Sequence, residues 1–177
     1  KRAGYLWKGF YYYWLGSFEN SFVALQRAEK LAEAVRDDAG KAFVNVLKAR
    51  IYYDRGQLEL SREYNEAWLD AYLRNYLYIK PYPYSEQYYK TISSFLLRLI
   101  ELKEKKIDSA RVRLAEMKSL FSEISLPIYK EWATSYYNLL YAELLLALGT
   151  PEKAMAVLEK LSTPGVFVFD PAEIMIF

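Results

Sequence analysis

The residues able to do chemistry in this chain are few in kind. It contains no Cys and no His, which excludes thiolate and imidazole metal sites, Cys or Ser/His nucleophile pairs and a histidine pH switch. Carboxylates remain. Glu63 with Glu66, and Glu101 with Glu104, stand three residues apart, on one face of a helix. Paired acids can hydrolyse glycosides or hold two metals inside a helical bundle. The bundle metal motif needs Glu-x-x-His, which this chain cannot supply, and exposed helix faces account for these acids. Lys103, Lys105 and Lys106 form too small a cluster to claim a phosphate partner. With no nucleophile beside an activating base, the chain is read as a non-enzyme with no catalytic residue, metal or cofactor.

The elements that must position these residues follow from composition and pattern. The chain has 177 residues, 53% of them hydrophobic, enough for one continuous core without disulfides or metal. Lys and Arg total 24 against 22 for Asp and Glu, with no long same-sign block, so no nucleic-acid partner is expected. The longest apolar run, Tyr136 to Leu148, is interrupted by Asn138 and Glu143 and falls short of the roughly 20 residues that span a bilayer. No transmembrane segment is expected. Absence of Cys fits any compartment, and the cytoplasm is slightly favoured. The chain begins at Lys1 without Met and ends in an apolar stretch, which suggests a piece of a longer protein.

Apolar residues recur at helical spacing almost throughout. Gly16-Ser17, Gly56-Gln57 and Gly149-Thr150-Pro151 each end one helix and open the next. The pattern predicts an all-α domain over 1–177 with four helical hairpins, at 2–37, 41–76, 84–124 and 129–162. Asp170-Pro171-Ala172-Glu173 carries the start signal of a further helix over 170–177. Lys80-Pro81-Tyr82-Pro83-Tyr84 cannot be helix interior and reads as an extended connector.

The hairpins are internally similar. Gly9, Tyr12, Gly16 and Ser21 in the first correspond to Ala49, Tyr52, Gly56 and Ser61 in the second, and to Ala142, Leu145, Gly149 and Ala154 in the fourth. The third departs, with Arg98 at the small position, Glu101 next, Lys105 at the turn glycine and then Ala110; the second departs at Asn65 and Trp68. This pattern resembles the tetratricopeptide repeat family over roughly residues 2 to 162. Repeat starts at Arg2, Ala42, Thr91 and Ser135 are 40, 49 and 44 residues apart, longer than the family's period of about 34, and similar to the extended repeats of bacterial regulators.

The resemblance implies a right-handed superhelix whose first helices line a concave groove. The residues it would place there are Leu6, Phe10 and Tyr13; Val46, Arg50 and Tyr53; Phe95, Leu99 and Leu102; and Leu139, Glu143 and Leu146. Such a surface suits an apolar protein or peptide partner, and the implied function is a scaffold, adaptor, or sensor and assembly region of a larger regulator. Family members that clamp a terminal carboxylate use Lys and Asn where this chain has Leu6, Phe10, Val46 and Arg50, which argues against a clamp. Two other readings stand beside it: a helical domain enclosing a small apolar molecule or lipid among its aromatics, and a self-association module. The 18 tyrosines serve either packing or recognition, and adjacent ones such as Tyr52 and Tyr53 can do both because they point apart.

Overall fold

The computed structural model describes residues 2–76 and 85–161. Every regular element among them is a helix: α1 (Arg2–Trp14), α2 (Phe18–Ala34), α3 (Asp38–Asp54), α4 (Leu58–Tyr76), α5 (Ser85–Lys103), α6 (Ile107–Ser122), α7 (Pro127–Ala147) and α8 (Pro151–Leu158). Two compact units divide the chain, Lys1–Pro81 with α1 to α4 and Tyr82–Phe177 with α5 to α8. Helices pack in neighbouring pairs: α1 with α2, α3 with α4, α5 with α6 and α7 with α8. The connector expected at residues 80–84 and the helix expected at 170–177 lie outside the described residues.

One junction recurs inside all four pairs. After α1, the Gly16 N–H donates to the Tyr13 carbonyl at 2.9 Å and the Ser17 N–H to the Tyr12 carbonyl at 2.8 Å. This double bond satisfies carbonyls that a helix end leaves without partners, and it needs a left-handed residue at its centre. Gly16, Gly56 and Gly149 supply φ values of 69°, 74° and 72°. In the third pair Lys105 adopts φ 61°, with its N–H on Leu102 and that of Lys106 on Glu101. The α2–α3 connection uses the same device without glycine, Arg36 standing at φ 53°.

The junction sets a fixed register between the paired helices. Ser21, Ser61, Ala110 and Ala154 each donate their N–H to the residue that closes the turn, Ser17, Gln57, Lys106 and Thr150. Each thus falls one turn into its helix, facing Gly9, Ala49, Arg98 and Ala142 in turn. All eight are buried. At Gly9 an added Cβ would lie 2.8 Å from a Leu25 methyl, so a larger residue there would have to displace the Leu25 side chain. The close approach is then bridged by a hydroxyl: Ser21 Oγ donates to the Gly9 carbonyl at 2.7 Å, and Ser61 Oγ to the Ala49 carbonyl at 2.8 Å.

In the third pair the two positions that elsewhere hold a small and a large side chain hold an ion pair. Arg98 is 4% exposed and Glu101 6%, and Arg98 Nη1 lies 3.0 Å from both Glu101 oxygens. Arg113 of α6 adds a longer contact, its Nε 3.7 Å from Glu101. Burial pulls the Arg98 guanidinium below its ordinary value, and the Glu101 carboxylate opposes that pull. Leu96, Ile100, Leu114 and Met117 of the same two helices are also buried.

Two expectations follow. Lys105→Gly relieves a left-handed side chain that costs roughly 1–2 kcal/mol, less the added freedom glycine gives the unfolded chain, so stability should rise by up to about 1 kcal/mol. A urea midpoint that stays put or falls would count against the strained turn. Glu101→Leu leaves Arg98 buried without its counter-charge and should cost about 3–5 kcal/mol, whereas Arg98→Ala with Glu101→Leu copies the fourth pair and should return within about 1 kcal/mol of the parent. A double variant as unstable as the single one would refute this account.

Candidate functional site

The groove residues expected from sequence part into two sets. Leu6, Phe10, Val46, Phe95 and Leu99 are buried, and the structure corrects their placement: they are packing residues, out of a partner's reach. The reason is that first helices pack on each other as well as on their own partners, α1 on α3 and α5 on α7. Phe95 meets Tyr136 across α5 and α7 at 5.2 Å between ring centroids, and Phe10 is flanked along its own helix by Trp7 and Trp14. Leu102 and Leu139 are half-buried, while Glu143 and Leu146 are exposed.

Tyr13, Arg50 and Tyr53 are brought together. Tyr13 lies in the last turn of α1, and Arg50 and Tyr53 lie in the last turns of α3, so the α1–α3 contact joins them. The Tyr13 hydroxyl donates to Asp54 Oδ2 at 2.6 Å and accepts from Arg50 Nε at 3.1 Å. Arg50 Nε is 3.7 Å from the same Asp54 oxygen, and its guanidinium lies 5.2 Å from the centre of the Tyr53 ring. Burial, reinforced by Asp54 and opposed by Arg50, pushes the Tyr13 phenol from 10.0 up to about 12. Burial works against the Arg50 charge, but Tyr13 and Asp54 outweigh it and hold the guanidinium above its ordinary value.

The cluster has a phenol, a permanent cation and a carboxylate, with no nucleophile poised beside a base among the described residues. The Arg50 Nε edge is spent on Tyr13 and Asp54, and its terminal amino groups have no hydrogen-bond partner among the described residues. Those amino groups can donate to a carbonyl oxygen.

Asp54 is the member that the groove expectation lacked. Its signal was available, since it stands four residues after Arg50, the spacing of a helical ion pair. A second tie joins the opposite ends of α1 and α3: Arg2 pairs with Asp37, which also caps α3 by accepting from the Gly40 N–H at 2.8 Å. On another face Lys48, buried in α3, donates to both oxygens of Glu29 in α2 at 2.8 and 2.9 Å. Its ammonium also sits 5.2 Å from the centre of the Tyr64 ring, and Tyr64 stacks on Tyr52 at 5.3 Å. Tyr52 therefore serves packing, while its neighbour Tyr53 belongs to the cluster.

Comparison with known proteins returns no matching family model, no matching curated protein and no matching solved structure.

Tyr13→Phe should cost about 1–2 kcal/mol, because it removes the hydroxyl that joins a carboxylate to a guanidinium in a part-buried site. The raised phenol fixes the pH window. Stability tied to it is fully present below the unfolded value near 10.0 and is lost as pH climbs toward about 12. Paired urea titrations should show the parent's advantage over Tyr13→Phe intact at neutral pH and shrinking across that interval. An advantage constant to pH 12 would show that the hydroxyl is not held in this network.

Proposed function

We propose that this chain is a right-handed superhelix of antiparallel hairpins of the tetratricopeptide kind. It acts as a protein- or peptide-binding scaffold, an adaptor or the assembly region of a larger regulator. The observation that carries this reading is the fourfold recurrence of one junction. Gly9, Ala49, Arg98 and Ala142 are each followed by a left-handed turn residue seven later and a small residue twelve later, and in three of the four the first residue is itself small. A device repeated at that spacing suits stacking of modules that present first-helix surfaces side by side.

In unit 1 this reading puts the partner on Tyr13, Arg50 and Tyr53. A bound segment would lay an apolar side chain on Tyr53 and a backbone carbonyl on the free edge of Arg50. Asp54 and Tyr13 hold the Arg50 side chain in place beforehand, so little rotamer freedom is lost on binding.

The test is selection from a displayed library of random peptides, carried out on the parent and on Arg50→Ala with Tyr53→Ala in parallel. The parent should enrich a family of sequences with an apolar anchor, and the variant should bind those peptides at least about tenfold more weakly, as expected for loss of anchor contacts. Circular dichroism confirms that both are folded. Equal affinity in the variant would remove this surface from the proposal.

A further inference from the structure

The solvent side of α1 is unlike that of the other helices in its unit. Positions recurring at helical spacing place Lys8, Tyr11, Trp14 and Leu15 on one face, and Tyr11, Trp14 and Leu15 are 57%, 56% and 61% exposed. The helix carries no acid at all. Lys8 and, from α2, Arg27 flank the Tyr5 ring at 5.9 and 5.6 Å, and neither pairs with a carboxylate among the described residues. Exposed aromatics beside these cations form the kind of surface that marks a contact with another molecule.

The same unit carries the complement. On α4, Glu59, Glu63, Glu66 and Asp70 recur at four-, three- and four-residue steps, so they form one stripe, and all are exposed. Asp70 is paired with Arg74 at 2.8 Å; the three glutamates pair with no cation among the described residues. Leu60, 38% exposed, and Ala67 lie along the stripe and give the aromatics an apolar footing. Two α1 faces packed antiparallel on each other would instead set Lys8, the midpoint of Arg2–Trp14, against its own copy. Like charges disfavour that two-fold arrangement.

We propose that the protein self-associates head to tail, the basic aromatic face of α1 and α2 on one copy docking on the acidic face of α4 on the next. Such a contact joins different surfaces of identical chains, so it extends from copy to copy. Its electrostatic part weakens with salt.

Sedimentation velocity of the full chain over a concentration series tests this. The weight-average mass should rise with concentration, and rise less at high salt. Lys8→Glu with Arg27→Glu reverses one face; Glu63→Lys with Glu66→Lys reverses the other. Each variant alone should sediment as monomer. Mixed in equal amounts, they should regain association, with the weight-average mass rising toward twice the monomer, because one brings an intact α4 face and the other an intact α1 face. A monomeric parent at every concentration overturns the proposal, as does association that survives both reversals. Two folded variants that fail to associate when mixed also overturn it.

Discussion

The closest approach between paired helices is the constraint on which the rest depends. Where Gly9 meets Leu25 a Cβ would press on the Leu25 methyl, and the Ser21 hydroxyl bridges the helices by donating to the Gly9 carbonyl. Helices held that near can interleave their larger residues. The turn must deliver the second small residue opposite the first, and the left-handed turn residue does so at a constant twelve-residue offset. Register and distance are thus fixed by one local device, and the remaining side chains pack into the geometry it leaves.

The third pair shows how far that device tolerates poor material. Arg98 takes the place of a small residue and Lys105 the place of a glycine, yet the junction keeps its hydrogen bonds. The bulk and charge of Arg98 are absorbed by Glu101, which itself stands where another pair has a large side chain. An arginine at one position therefore requires an acid three residues on. The two departures from the pattern are a single substitution in physical terms.

The helices were legible in the sequence because their signals are local. Glycines at 16, 56 and 149 and the Pro at helix starts mark breaks within a few residues. Lys105 was legible only through its alignment with those glycines, and nothing marked Arg36 as left-handed. The groove was less legible. Assigning Leu6, Phe10, Val46, Phe95 and Leu99 to an outward face assumed that first helices touch only their own partners. Which face of α1 is covered depends instead on α3, some forty residues away, and periodicity within one helix carries no information on that. Tyr13, Arg50 and Tyr53 lie at helix ends, where they meet one another across α1 and α3 and stay half-buried.

The α1–α3 contact is fastened twice, by Arg2 and Asp37 at one end and by Tyr13 with Asp54 and Arg50 at the other. Two fasteners on parallel rods remove the rotation that one would allow. The direct packing of α1 on α3 is lighter than the packing of either helix on α2, so these two end ties set the spacing of the two helices, and a surface lying along both keeps a constant width.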